Sequence, residues 1–337
     1  MGNKITRRAI IKQGGLALTA LALPFPLTAF TKFNRMTDHK NFDVIIIGGS
    51  YAGLSAAMAL GRALRNVLII DSGLPCNRQT PHSHNFITQD GEKPGVIAEK
   101  AKAQVLQYNT VKFHNDIAVN GKKTENGFTI ATQTGNEFTA KKLIFATGVK
   151  DIMPNINGFA ECWGISVIHC PYCHGYEVKN EKTGILANGN FAYHYAQLVS
   201  NLTKELTIFT NGKAEFTAEQ SAKFKQHNIP VIEKEIAELK HESGNVREIA
   251  FKDNSAFKLK AIYSRPAFEQ HCKIPETLGC ELTEQGLLKT DMFQKTTVAN
   301  IFACGDNASP LRTVANAVST GNIAGAMLNN GMTEEEF

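Results

Sequence analysis

Two cysteines, spaced two residues apart and flanked by histidines, stand in the stretch His-Cys-Pro-Tyr-Cys-His-Gly-Tyr-Glu at residues 169 to 177. Three chemistries use such a stretch. A Cys-x-x-Cys pair can close a small ring in which one thiolate attacks a substrate while its neighbour resolves the mixed disulfide. Cys-x-x-Cys-His is also the pattern of c-type haem attachment, and Cys with His makes zinc sites. The stretch alone leaves all three open. Zinc drawn from His169, Cys170, Cys173 and His174 would crowd its ligands into a single short segment, whereas structural zinc takes two separated pairs. The other cysteines, Cys76, Cys162, Cys272, Cys280 and Cys304, have no metal-ligand spacing, and seven in 337 residues do not make a disulfide scaffold.

The elements around the pair must decide. From Phe42 the chain reads FDVIIIGGSYAGLSAAMALGRALRNVLIID: a buried strand, a glycine turn, an Ala- and Leu-rich helix, and a second strand ending in Asp71. This is the βαβ unit that cradles a dinucleotide. Its glycines let the backbone approach a pyrophosphate at the helix N-terminus, and an acid about 20 residues on meets a ribose hydroxyl. The turn places Gly48 first and Gly53 third, with Ser50 in the second glycine's place and Gly49 between. Serine is small enough to keep the approach open.

Two further stretches extend the pattern. KKLIFATG, ending at Gly148, reads as a charged turn followed by an apolar strand; TTVANIFACGDNAS, from Thr296, is a strand ending in Gly305 and Asp306 before a helix-like run. With these in place, the chain after residue 41 resembles the low-molecular-weight thioredoxin reductases, which are FAD-dependent pyridine nucleotide-disulfide oxidoreductases. The resemblance implies an α/β fold of two three-layer, Rossmann-like dinucleotide-binding domains, the second inserted into the first. The FAD domain would span 41–148 and 267–331, and the insert, carrying the dithiol, 149–266.

The same resemblance makes the pair a redox dithiol, with Cys170 toward substrate and Cys173 toward the flavin. Haem would need a pocket that a chain spent on two dinucleotide folds does not provide. His174 stands where thioredoxin reductases commonly carry an aspartate. A group that titrates near neutrality can take a proton from an attacking thiol and return one to a leaving thiolate, so His174 is the candidate acid–base. The motif CPYCHG resembles the dithiol oxidases that close disulfides in gliotoxin- and holomycin-type products. His82, His84 and His169 are read as structural. Asp306 and Gly305 are expected at the ribityl–phosphate end of FAD. Arg312 keeps the first position of an Arg-Gln pair, with Thr313 replacing the glutamine. Cys304 is read as a small buried filler.

The insert repeats a strand, a turn, a helix and a second strand in KTGILANGNFAYHYAQLVSNLTKELTIFTNGK, but its first turn glycine is Ala187, and Thr210, Asn211 and Gly212 stand directly after Phe209 where arginines would be needed. A 2′-phosphate without such partners loses charge-assisted hydrogen bonds of about 1.5–3 kcal/mol each. This argues against NADPH and less strongly against NADH: FAD is the expected cofactor and NAD(P)H a doubtful one. A flavin reduced by a substrate dithiol and reoxidised by oxygen is the expectation. The alternatives are an NAD(P)H-dependent thioredoxin reductase and a non-catalytic zinc- or haem-binding shell. Partners would be a small dithiol or a thioredoxin-like protein, and the resemblance implies a homodimer.

The net charge of +5 comes from the N-terminus: residues 1–36 hold Lys4, Arg7, Arg8, Lys12, Lys32 and Arg35 and no acid, so the remainder carries −1. No nucleic-acid footprint is left. The twin arginines followed by the apolar run from Gly14 to Phe30 read as a twin-arginine export signal, placing the enzyme in the periplasm or on a membrane anchor facing it, and in the cytoplasm only if the signal goes unused.

Overall fold

The computed structural model describes residues 41–337, so the twin-arginine segment lies outside the described residues. The strand Asn41–Ile47 sits at the centre of a parallel sheet, between Val67–Asp71 on one side and Glu137–Phe145 on the other. Val111–Asn115 extends it beyond Val67–Asp71, and Ile301–Ala303 extends it beyond Leu143–Phe145. Where a central strand is covered on both faces it must be apolar, as it is from Val44 to Ile47. Val44 and Ile46 pack under the helices Tyr51–Arg62 and Val314–Glu336, while Ile45 and Ile47 join Leu68, Ile70 and Phe145 on the opposite face.

The turn expected at Lys141–Lys142 is absent. Glu137–Phe145 runs through both lysines as one strand, whose first half pairs antiparallel with Gly127–Thr132, which in turn pairs antiparallel with Ala118–Thr124. The charges are tolerated because each finds an acid: Lys141 Nζ lies 2.9 Å from Asp43, and the buried Lys142 donates to Asn300 and Glu335.

The chain leaves this lobe along Val149–Ile152 and returns along Ala267–Gln270, and the two crossings pair antiparallel. Between them a second lobe holds five parallel strands in the order Val231–Ile232, Leu206–Phe209, Thr183–Leu186, Ala261–Ser264, Val167–Ile168. An antiparallel sheet of Ile236–Glu242, Asn245–Phe251 and Ala256–Lys258 covers one side, and its Leu239, Val246 and Ile249 share a core with Phe159 and Phe209. Two Rossmann-like lobes, the second inserted into the first, are therefore the architecture.

Candidate active site

The first glycine turn is held open by steric demand. Gly48 has φ +102°, and a Cβ there would stand 2.2 Å from the carbonyl oxygen of Ala146; a Cβ on Gly53 would meet the Gly48 carbonyl oxygen at 1.9 Å. Only glycine lets the helix Tyr51–Arg62 start this close to the sheet, with its N-terminal amides toward the cleft above. Gly49 turns away from the cleft: its amide donates to Asp71 Oδ1 at 2.7 Å, and a Cβ would strike Phe113. Asp71 also accepts from the Gly73 amide at 2.9 Å. Gly48, Ser50 and Asp71 line the cleft, whose interior is about 310 Å³.

At its other end the cleft is lined by Gly305, Asp306 and Arg312. Burial pushes the Asp306 carboxyl up to about 6 against the pull of Arg312. The Arg312 guanidinium grips Asp151 at 2.7 and 2.9 Å, and its buried Nε stands 3.6 Å from Asp306 with no hydrogen-bond partner. The glycine cradle, the acid at the end of the second strand and this unpartnered donor fit FAD: pyrophosphate at the turn, ribose at Asp71, ribityl chain by Asp306.

The dithiol motif enters the same cleft from the inserted lobe. Cys170 and Cys173 are joined as a disulfide with Cα atoms 5.3 Å apart. Cys170 caps the short helical turn Pro171–His174, its sulfur accepting from the Cys173 amide at 3.2 Å, and Pro171 fits the first helical position, where no amide is needed. Cys173 and His174 line the cleft and Cys170 does not, although both sulfurs belong to residues buried to the same degree. Burial lowers the proton affinity of His174, and His84 lowers it further while Glu177 opposes. His169 is held neutral, pushed down to about 4 by burial and by Arg312.

Several cleft residues carried no signal in the sequence. Trp163 stacks on Phe159, lies against His169 and donates its indole N–H to Asp151 at 3.3 Å. Gln79 donates to the Trp163 carbonyl at 2.7 Å, tying the loop after Asp71 to the inserted lobe. His84, read as structural, lines the cleft with its ring centroid 6.2 Å from that of His174. Cys76 lines it too, its thiol raised by burial, whereas Cys304 is wholly enclosed and pushed up to about 12. Among the described residues no group of three or more His, Cys, Asp or Glu side chains is placed to hold a metal ion.

A disulfide at the mouth of a dinucleotide cradle defines a flavin-dependent disulfide oxidoreductase. The sequence agrees: residues 42–321 match the pyridine nucleotide-disulphide oxidoreductase family, and the chain belongs to it. It is 32% identical to the thioredoxin reductase sirT of Leptosphaeria maculans over 86% of this chain and 93% of that one. An oxidoreductase from Agrobacterium tumefaciens superposes with a TM-score of 0.82 at 38% identity, covering 87% of this chain and 99% of the other. HlmI superposes with a TM-score of 0.82 at 29% identity, covering 88% and 94%. The protein is thus a thioredoxin reductase-like, FAD-dependent disulfide oxidoreductase.

Proposed function

We propose that this enzyme is a dithiol oxidase: a substrate dithiol reduces the Cys170–Cys173 disulfide, and the electron pair leaves through the flavin to oxygen without a pyridine nucleotide. FAD, when bound, supplies the two-electron acceptor. The chain's own part is to hold the disulfide at the cleft, to place Cys173 on the flavin side and to handle the thiol proton at His174.

One observation carries this reading: Asn188 closes the turn where a second nucleotide would bind. Its Oδ1 accepts from the amides of Gly189 and Glu215, both at 2.9 Å, and its Nδ2 donates to the Lys213 carbonyl at 2.8 Å. Gln220 donates to Asn190 at 2.8 Å beside it. The segment after Leu206–Phe209 is thereby stitched to the start of the helix Gly189–Val199, where a pyrophosphate would need those groups free. The one base of that segment, Lys213, is balanced by Glu215. Export by the twin-arginine signal, into a compartment without a pyridine-nucleotide pool, belongs to the same proposal. So does a homodimer, which rests on family resemblance.

The test is anaerobic mixing of the FAD-loaded enzyme. A small dithiol bleaches the flavin within the dead time of turnover and NADPH leaves it yellow; admission of oxygen restores the colour. Rapid bleaching by NADPH at stoichiometric concentration would instead establish a thioredoxin reductase.

A further inference from the structure

His84 and His174 reach the cleft from different lobes. His174 ends the helical turn that carries the disulfide, and His84 belongs to the loop that follows Val67–Asp71. The rings meet edge to face, 6.2 Å between centroids and 87° between planes, and both line the cleft beside Cys173. Two imidazoles this close are electrostatically coupled: a cation on either ring disfavours a cation on the other.

Their surroundings are unequal. His84 is bracketed by acids, with Nε2 at 3.5 Å from Glu177 Oε1 and Nδ1 at 3.8 Å from Asp90 Oδ1. His82 is the third charged-capable neighbour, its ring 6.5 Å from that of His84 and its Nδ1 on the Gly91 carbonyl. His174 faces His84 from the FAD lobe, Glu177 from the next turn and His169 from the chain before it, and burial further disfavours its cation.

We propose that His84 is a positioning residue for the dithiol base: set between Asp90 and Glu177, its ring presents positive charge to the His174 ring and so leaves His174, beside Cys173, free to accept a thiol proton. In the exchange this serves, a substrate thiol gives its proton to His174 and its sulfur attacks Cys170. The Cys170–Cys173 bond breaks, a substrate–Cys170 disulfide forms, and the electron pair of the broken bond leaves on Cys173 as thiolate. The inference rests on the disulfide chemistry of the pair and is independent of what finally takes the electrons.

The experiment follows the imidazoles directly. In FAD-loaded full-length protein carrying 13Cε1-labelled histidine, NMR gives the titration midpoint of His174. His84→Asn raises that midpoint by about 0.5 pH units or more, the size of one like charge at this distance in a screened site. His84→Lys, which keeps a cation near Asp90 and Glu177, brings it back toward the wild-type value. The acid limb of disulfide reduction by dithiothreitol moves up in His84→Asn by the same amount, so the rate near pH 6 falls about threefold. An unchanged or lowered His174 midpoint in His84→Asn, or equal midpoints in the Asn and Lys variants, would overturn the assignment. Failure of the disulfide reading shows separately, as wild-type flavin that dithiothreitol does not bleach, and the NMR midpoints decide the role of His84 in either case.

Discussion

Arg312 holds Asp151 through two parallel hydrogen bonds of 2.7 and 2.9 Å, joining the segment before the last helix to the first crossing between the lobes. Both side chains are nearly enclosed, 11% and 9% exposed. Asp151 also accepts from Trp163, and Trp163 from Gln79, so one carboxylate anchors a chain of contacts from the FAD lobe into the insert. Breaking a buried pair strands a charge, at about 3–5 kcal/mol, while replacing both members with apolar groups is far less costly. Asp151→Ala is therefore expected to lower the urea midpoint of the holoenzyme sharply, and Asp151→Leu with Arg312→Met to recover most of it. A double variant no more stable than the single one would show that the pair does not couple the lobes.

The glycine turn gives a second prediction. Gly48→Ala puts a methyl group 2.2 Å from a backbone oxygen at a left-handed φ of +102°, so either the turn or the neighbouring Ala146 strand end must move. Overpacking with backbone strain costs about 1–3 kcal/mol, and the shift falls on the amides meant for the pyrophosphate. The variant should purify with little or no flavin, read as the ratio of absorbance at about 450 nm to that at 280 nm. Full flavin content would place the pyrophosphate elsewhere.

Two buried groups give stability opposite slopes with pH. The His169 imidazole, near 4 when folded against 6.5 ordinarily, binds fewer protons in the native state, so its contribution is lost as pH falls from about 6.5 through 4. Asp306, near 6 when folded against 3.8, binds more, so its contribution is present below about 3.8 and lost as pH rises through 6. Each amounts to an order of 3 kcal/mol and the two largely cancel in the wild-type apoprotein. His169→Gln should unmask a stability that falls from pH 4 to 6.5, and Asp306→Asn one that rises, both read from denaturant midpoints of the flavin-free protein. Parallel curves for wild type and both variants would refute the buried titrations.

The parts of this site legible in the sequence are those that act through local chain geometry. Gly48, Ser50 and Gly53 announce a strand-to-helix turn, Asp71 ends the next strand, and Cys170 and Cys173 sit on one turn, because spacing along the chain fixes each relation. Asp151, Trp163, Gln79 and His84 acquire their roles only when two lobes close on each other, and no periodicity reports that closure. In the sequence Arg312 reads as a flavin contact, yet its strongest partner is Asp151 in a stretch legible only as a hinge. Lys141 and Lys142 misled in the other direction: they read as a turn, and partners distant in sequence, Asp43 and Glu335, keep them inside a strand.

Asn188 is the residue that tests the proposed independence from pyridine nucleotides most directly. It satisfies the Gly189 and Glu215 amides and the Lys213 carbonyl at once, three groups that alanine would leave to water or to a ligand. Asn188→Ala should cost about 1–2 kcal/mol of stability, the usual value of a helix cap with its side-chain bonds. Its dithiol-driven flavin reduction should stay within twofold of wild type, because the residue is on the far turn of the insert rather than in the dithiol cleft. Freed amides at that helix start would admit a pyrophosphate weakly, so a gain of slow flavin reduction by NADH, without a matching gain for NADPH, is the expected signature. An Asn188→Ala enzyme that reduces its flavin no faster with NADH than wild type does would mean that the turn is closed to nucleotides by something other than this side chain.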